Sequence, residues 1–112
     1  MTHRAFKTVI ITEKVLADRV AQAIEEAGGT GYTIVAAGGK GSRGMRRMDR
    51  AAVVEAFSNI KIEVITADHK TAERIADHVA GAYFTHYSGI AYIEEVEVLR
   101  QHKFVQPGEV AR

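Results

Sequence analysis

The segment Ile60-Lys61-Ile62-Glu63-Val64 alternates strictly between apolar and charged residues, and a strand so patterned can bury only one of its faces. Whatever sheet holds it must be covered on one side and open on the other. The elements around it fit that demand. Phe6 to Ile11 is rich in β-branched and aromatic residues and reads as a first strand. Thr12 stands where a helix cap would, with Glu13 in the first turn. Leu16, Val20, Ile24 and Ala27 then recur on one helical face, and Gly28-Gly29 closes the helix. Gly31 to Ala37 gives a second strand. Beyond the alternating third strand, Asp68 caps a helix whose Ala72, Ile75, Ala76, Val79 and Ala80 form one stripe, with Gly81 as its stop. A fourth strand runs from Gly89 to about Leu99, its alternation broken at Glu94-Glu95, where a bulge is expected.

The order β-α-β-β-α-β is the ferredoxin-like pattern, an α+β sandwich in which two helices cover one face of an antiparallel sheet. Val9, Ile10 and Ile11 are consecutive, and Ile90, Tyr92, Ile93, Val96 and Val98 do not alternate as one set. Apolar residues on the uncovered face call for self-association. With 112 residues and 46% hydrophobic content, a single domain spanning 1–112 is expected, with a loop at about 39–58 and a polar tail at about 100–112. There is no cysteine, so disulfides and thiolate chemistry are excluded. The sequence shows neither a signal-peptide stretch nor a bilayer-length apolar run, and a cytoplasmic location is expected.

Charge is concentrated in one place. Lys40, Arg43, Arg46, Arg47 and Arg50 face only Asp49 between residues 40 and 50, and the formal net charge of +1 leaves the rest of the chain mildly acidic. This segment, Gly38-Gly39-Lys40-Gly41-Ser42-Arg43-Gly44-Met45-Arg46, follows a strand directly. Glycines let successive N–H groups converge on an anion, while Lys40, Arg43 and Arg46 add charge and Ser42 a hydroxyl, a set suited to phosphate. Gly39 to Gly44 formally satisfies G-x-G-x-x-G, but Met45 to Arg50 is too basic and polar to open a sheet-packed helix. A P-loop is excluded because Gly41, not Ser or Thr, follows Lys40. The plain alternative is a glycine turn with solvated arginines. About twenty residues without regular structure in so small a domain favours a functional loop.

These residues carry a resemblance. Thr12-Glu13-Lys14, Gly31-Tyr32-Thr33, Gly38-Gly39-Lys40-Gly41-Ser42-Arg43 with Arg46, Asn59-Ile60-Lys61, Ala72-Glu73-Arg74-Ile75-Ala76-Asp77 and Tyr83-Phe84 leading to Tyr87-Ser88-Gly89-Ile90 are similar to PII-like signalling proteins associated with bicarbonate transporters and carboxysomes. The resemblance runs to about Leu99. It implies a homotrimer with a nucleotide in each of three clefts between subunits, and a long loop between strands two and three that touches partner proteins. It implies Arg43 and Arg46 as phosphate ligands, assisted by Lys40, Ser42 and the main chain of Gly39 and Gly41. Tyr87, Ser88, Gly89 and Ile90 would line the nucleoside side, with Thr33 near the loop base. The implied effectors are AMP or ADP, with cyclic AMP and ATP as further candidates, and bicarbonate beside the glycine-rich turn. The implied partner is a bicarbonate transporter or a carboxysome-linked component. The loop has no tyrosine to accept uridylylation, and the tail lacks the paired cysteines of some relatives, so redox control is not implied.

Other functions are less well served. His3, His69, His78, His86 and His102 include no i, i+4 pair and have no cysteine beside them, so no metal site and no catalytic cofactor are expected. A structural trimer of the divalent-cation-tolerance type is the alternative without nucleotide signalling, but the loop lacks metal-ligand spacing. Nucleic-acid binding would need exposed aromatics and cations on the central strands, where Val9, Ile60 and Ile62 stand. No general base or metal cluster supports an enzyme.

Overall fold

The computed structural model describes residues 1–38 and 57–99. Strand β1 is His3–Glu13, a 3-10 turn at Lys14–Leu16 leads into helix α1 at Ala17–Glu26, and β2 is Thr33–Ala37. Strand β3 is Asn59–Thr66, helix α2 is His69–Tyr83 and β4 is Gly89–Val98. The strands form one antiparallel sheet in the order β2-β3-β1-β4. This is the expected α+β ferredoxin-like sandwich, with both helices on one face.

The alternation of β3 sets that arrangement. Ile60, Ile62 and Val64 are buried, and they join Ile10, Leu16, Val20, Ile24, Ile75 and Val79 in the core between sheet and helices. Lys61, Glu63 and Ile65 belong to the other face. The helix ends follow from local chemistry. The amide of Gly29 donates to the Ile24 carbonyl at 2.9 Å, that of Gly28 to the Glu25 carbonyl at 3.2 Å, and Gly28 has φ 108°. This is a Schellman ending, which requires the left-handed conformation glycine adopts freely. The Asp68 side chain accepts from the Thr71 amide at 3.3 Å and caps α2, as expected.

Four expectations are corrected. Thr12 does not cap a helix. Strand β1 continues through it to Glu13, no side chain caps the 3-10 turn, and both residues bond elsewhere. Gly81 does not stop α2, because the Phe84 amide still reaches the Ala80 carbonyl at 3.0 Å and the helix extends to Tyr83. There is no bulge at Glu94-Glu95: β1 and β4 pair without interruption from His3↔Val98 to Thr12↔Gly89. Glu94 lies on the open face because Lys7 is its cross-strand neighbour there and bridges to it at 3.4 Å, and Glu95 pairs with Arg4 at 3.8 Å. In that unbroken register Ile90, Tyr92, Val96 and Val98 lie on the open face and Ile93 on the other, so the five do not share one face, as expected. Finally, Ile60 and Ile62 do not occupy the open face. Lys61 and Glu63 do.

The open face carries an apolar band interrupted on β3 by charge: one register row runs Val35, Lys61, Ile11, Ile90, and the next places Glu63 beside Val9 and Tyr92. Val35 is 50% exposed, Ile90 56% and Tyr92 39%. Lys7 bridges Glu63 at 3.8 Å as well as Glu94, and Lys61 reaches Glu63 at 3.5 Å, so the charges on this face are largely paired. No helix among the described residues is long and apolar enough to cross a membrane.

Candidate functional site

One end of the sheet gathers the segments of interest. Ala37, the last residue of β2, pairs with Asn59, the first of β3, and Asn59 pairs in turn with Glu13, the last of β1. Gly89, which opens β4, stands beside Thr12. The Lys14 amide donates to the Ser58 carbonyl at 2.9 Å. Residues on both sides of the glycine-rich basic segment, Ala37 before it and Ser58-Asn59 after it, are therefore planted at the end of the sheet where β4 begins.

The turn before β4 is held tightly. The main-chain ladder between β1 and β4 ends at Thr12↔Gly89, and side chains take over at the next residue. The Thr12 hydroxyl donates to the Ser88 carbonyl at 2.7 Å, and the Ser88 amide donates to the Glu13 carboxylate at 2.7 Å. Thr12 and Glu13 are consecutive in extended chain, with Glu13 at φ −70°, ψ 139°. Their side chains leave the strand on opposite faces and grip Ser88 from both. A neutral hydrogen bond of this kind contributes about 1 kcal/mol and one to a charged group about 1.5–3 kcal/mol. Upstream, the amides of His86 and Tyr87 donate to the Tyr83 carbonyl at 3.3 and 3.0 Å. The Phe84 ring lies where a Cβ on residue 89 would stand, so any side chain there would have to displace the ring or the start of β4. Tyr87 packs on the core, and Ile90 is exposed on the open face.

Of the residues singled out in the sequence, Tyr87, Ser88, Gly89 and Ile90 form this one turn. Thr33 is not near the loop base. It opens β2 opposite Glu63, four residues or about 13 Å along the strand from Ala37. Strands β2 and β4 are also the two edges of the sheet, about 14 Å apart. Gly39, Lys40, Gly41, Ser42, Arg43 and Arg46 lie outside the described residues. Glu13 was missed by sequence reasoning as a partner of this turn. Its bond spans 75 positions, and no local spacing signals it. Among the described residues no group of His, Asp or Glu could hold a metal ion. An open groove of about 500 Å³ on the outer face of α2 is lined by Lys70, Glu73, Arg74, Asp77 and His78, a mixture of charges that selects no ligand.

An antiparallel four-stranded sheet in this order, with two helices on one face, defines the ferredoxin-like α+β class. The sequence profile of the nitrogen regulatory protein P-II matches residues 6–103. The chain belongs to that family, and is a PII-like regulatory protein. Its structure is similar to that of a PII-like signaling protein from Thermus thermophilus, with 36% identity and a TM-score of 0.74 over 93% of this chain and 98% of that one. It is similar in fold to CPII from Thiomonas intermedia bound to ADP and bicarbonate, with 24% identity and a TM-score of 0.74 over 94% and 98% of the two chains. The same CPII bound to ADP, AMP and bicarbonate gives 24% identity and a TM-score of 0.72 over 93% and 96%.

Proposed function

We propose that this protein senses adenine nucleotides, AMP or ADP foremost and cyclic AMP or ATP as further candidates, together with bicarbonate. It passes the signal to a partner in inorganic-carbon acquisition, a bicarbonate transporter or carboxysome-linked component, through ligand-dependent order in the segment at about 39–58. The observation that carries this reading is the shared sheet end. There the side-chain-gripped turn at Ser88-Gly89 stands beside Glu13 and Asn59, where the chain re-enters the sheet after its densest cluster of glycine and cations. CPII, on the same fold, holds ADP, AMP and bicarbonate, which supplies the ligand class.

In this reading Arg43 and Arg46 take the phosphates with Lys40, Ser42 and the main chain of Gly39 and Gly41, while Tyr87, Ser88, Gly89 and Ile90 face the nucleoside. Ala37 and Gly89 stand at opposite edges of the sheet, so a cleft drawing on both edges is completed by a neighbouring copy, in a homotrimer. Thr33 takes part only through such a neighbour. The half-exposed apolar band of Val35, Ile90 and Tyr92 supports that assembly.

Calorimetric titration with AMP, ADP, ATP and cyclic AMP, with and without bicarbonate, tests the reading. Arg43→Ala and Arg46→Ala are each expected to weaken binding about tenfold or more, some 1.4 kcal/mol, and Arg50→Ala much less. Equal losses from all three would indicate a diffuse patch. No binding heat with any adenine nucleotide at millimolar concentration would overturn the proposal.

A further inference from the structure

We infer that Thr12 and Glu13 are positioning residues for the nucleoside side of the ligand site: by holding both main-chain polar groups of Ser88 they fix where Gly89 and Ile90 meet a nucleotide. The inference rests on the functional reading above. Neither residue need touch the ligand. Thr12 is buried, its hydroxyl committed to the Ser88 carbonyl at 2.7 Å, and the Glu13 carboxylate is committed to the Ser88 amide at the same distance.

The arrangement does more than brace a turn. Asn59 is the cross-strand partner of Glu13, and the amide of the next residue, Lys14, holds the Ser58 carbonyl. One residue of β1 therefore stands between the point where the chain re-enters the sheet after its basic segment and the turn that opens β4. A shift of Ser58-Asn59 reaches Ser88 through the main chain of Glu13 and Lys14 and then the Glu13 side chain. The coupling is reciprocal, so a ligand seated against Ser88 to Ile90 biases Ser58-Asn59 by the same free energy.

The test compares conservative and disruptive variants. Glu13→Gln keeps an acceptor oxygen and Glu13→Ala removes it; Thr12→Ser keeps the hydroxyl and Thr12→Val removes it at nearly constant volume. Two quantities are read: hydrogen exchange of the Ser88 amide by nuclear magnetic resonance, and ADP affinity by calorimetry. Glu13→Ala is expected to speed Ser88 exchange at least tenfold and weaken ADP fivefold or more, with Glu13→Gln, which keeps a neutral acceptor, falling between Glu13→Ala and the wild type in both. Thr12→Val is expected to weaken ADP similarly and Thr12→Ser to bind as the wild type does. ADP affinity unchanged in Glu13→Ala, or no better in Glu13→Gln than in Glu13→Ala, overturns the positioning role alone. A wild-type protein that binds no ADP overturns the functional reading and this inference together.

Discussion

The ring of Phe84 occupies the space that a side chain on Gly89 would need, so the last turn of α2 and the first residue of β4 are packed backbone against ring. Gly89→Ala must push the ring aside or shift the start of β4. Overpacking of this kind costs about 1–3 kcal/mol. A lowered urea midpoint with an unchanged slope is the expected result, together with weaker ADP binding because Ser88 and Ile90 move with residue 89.

Gly81 predicts the opposite. It lies inside α2, and a Cβ there would meet nothing within 4 Å. Gly81→Ala is expected to stabilise the protein by about 0.5–1 kcal/mol through helix propensity and a less flexible unfolded chain. Urea denaturation gives the number, and ligand affinity should not change.

Arg74 ties the two helices together. Its Nε donates to the Ala27 carbonyl at 2.8 Å, just past the end of α1, and its Nη2 to the Thr71 hydroxyl at 3.4 Å. Arg74→Ala is expected to cost about 1 kcal/mol, below the range for a fully buried charged hydrogen bond because the site is partly solvated. Arg74→Lys should recover little of it, since a lysine lacks the Nε geometry. Chemical denaturation of the three proteins decides.

The open face predicts assembly. If three copies pack through it, as proposed, Tyr92→Glu with Val35→Asp places charges in the apolar band and should reduce the mass in solution from three chains to one. Multi-angle light scattering at micromolar concentration reads this directly. A wild-type mass of one chain removes the trimer from the proposal.

Elements governed by short-range pattern were legible in the sequence. The stripe Leu16, Val20, Ile24, Ala27 is buried throughout, Asp68 caps α2, and Ile60, Ile62 and Val64 face the core. Failures arose where the deciding partner is distant in sequence. Thr12 and Glu13 look like a helix start because Ser88, their partner, is more than seventy positions away. Glu94 looks like a bulge until Lys7 is seen opposite it. The turn Tyr87 to Ile90 was found only through its resemblance to relatives. Nothing in its composition announces a site.

The uninterrupted register between β1 and β4 also restricts how the connector from Phe84 to Ser88 can vary. Deleting or adding one residue there would slide β4 by one position, sending Ile90 and Tyr92 toward the helices and Ala91 and Ile93 outward. The same slip would set a side chain against the Phe84 ring and move Ser88 out of reach of Thr12 and Glu13. A two-residue change preserves the faces but still breaks that grip. The connector is in effect a spacer of set length, and homologous chains should tolerate substitution within it far better than insertion or deletion.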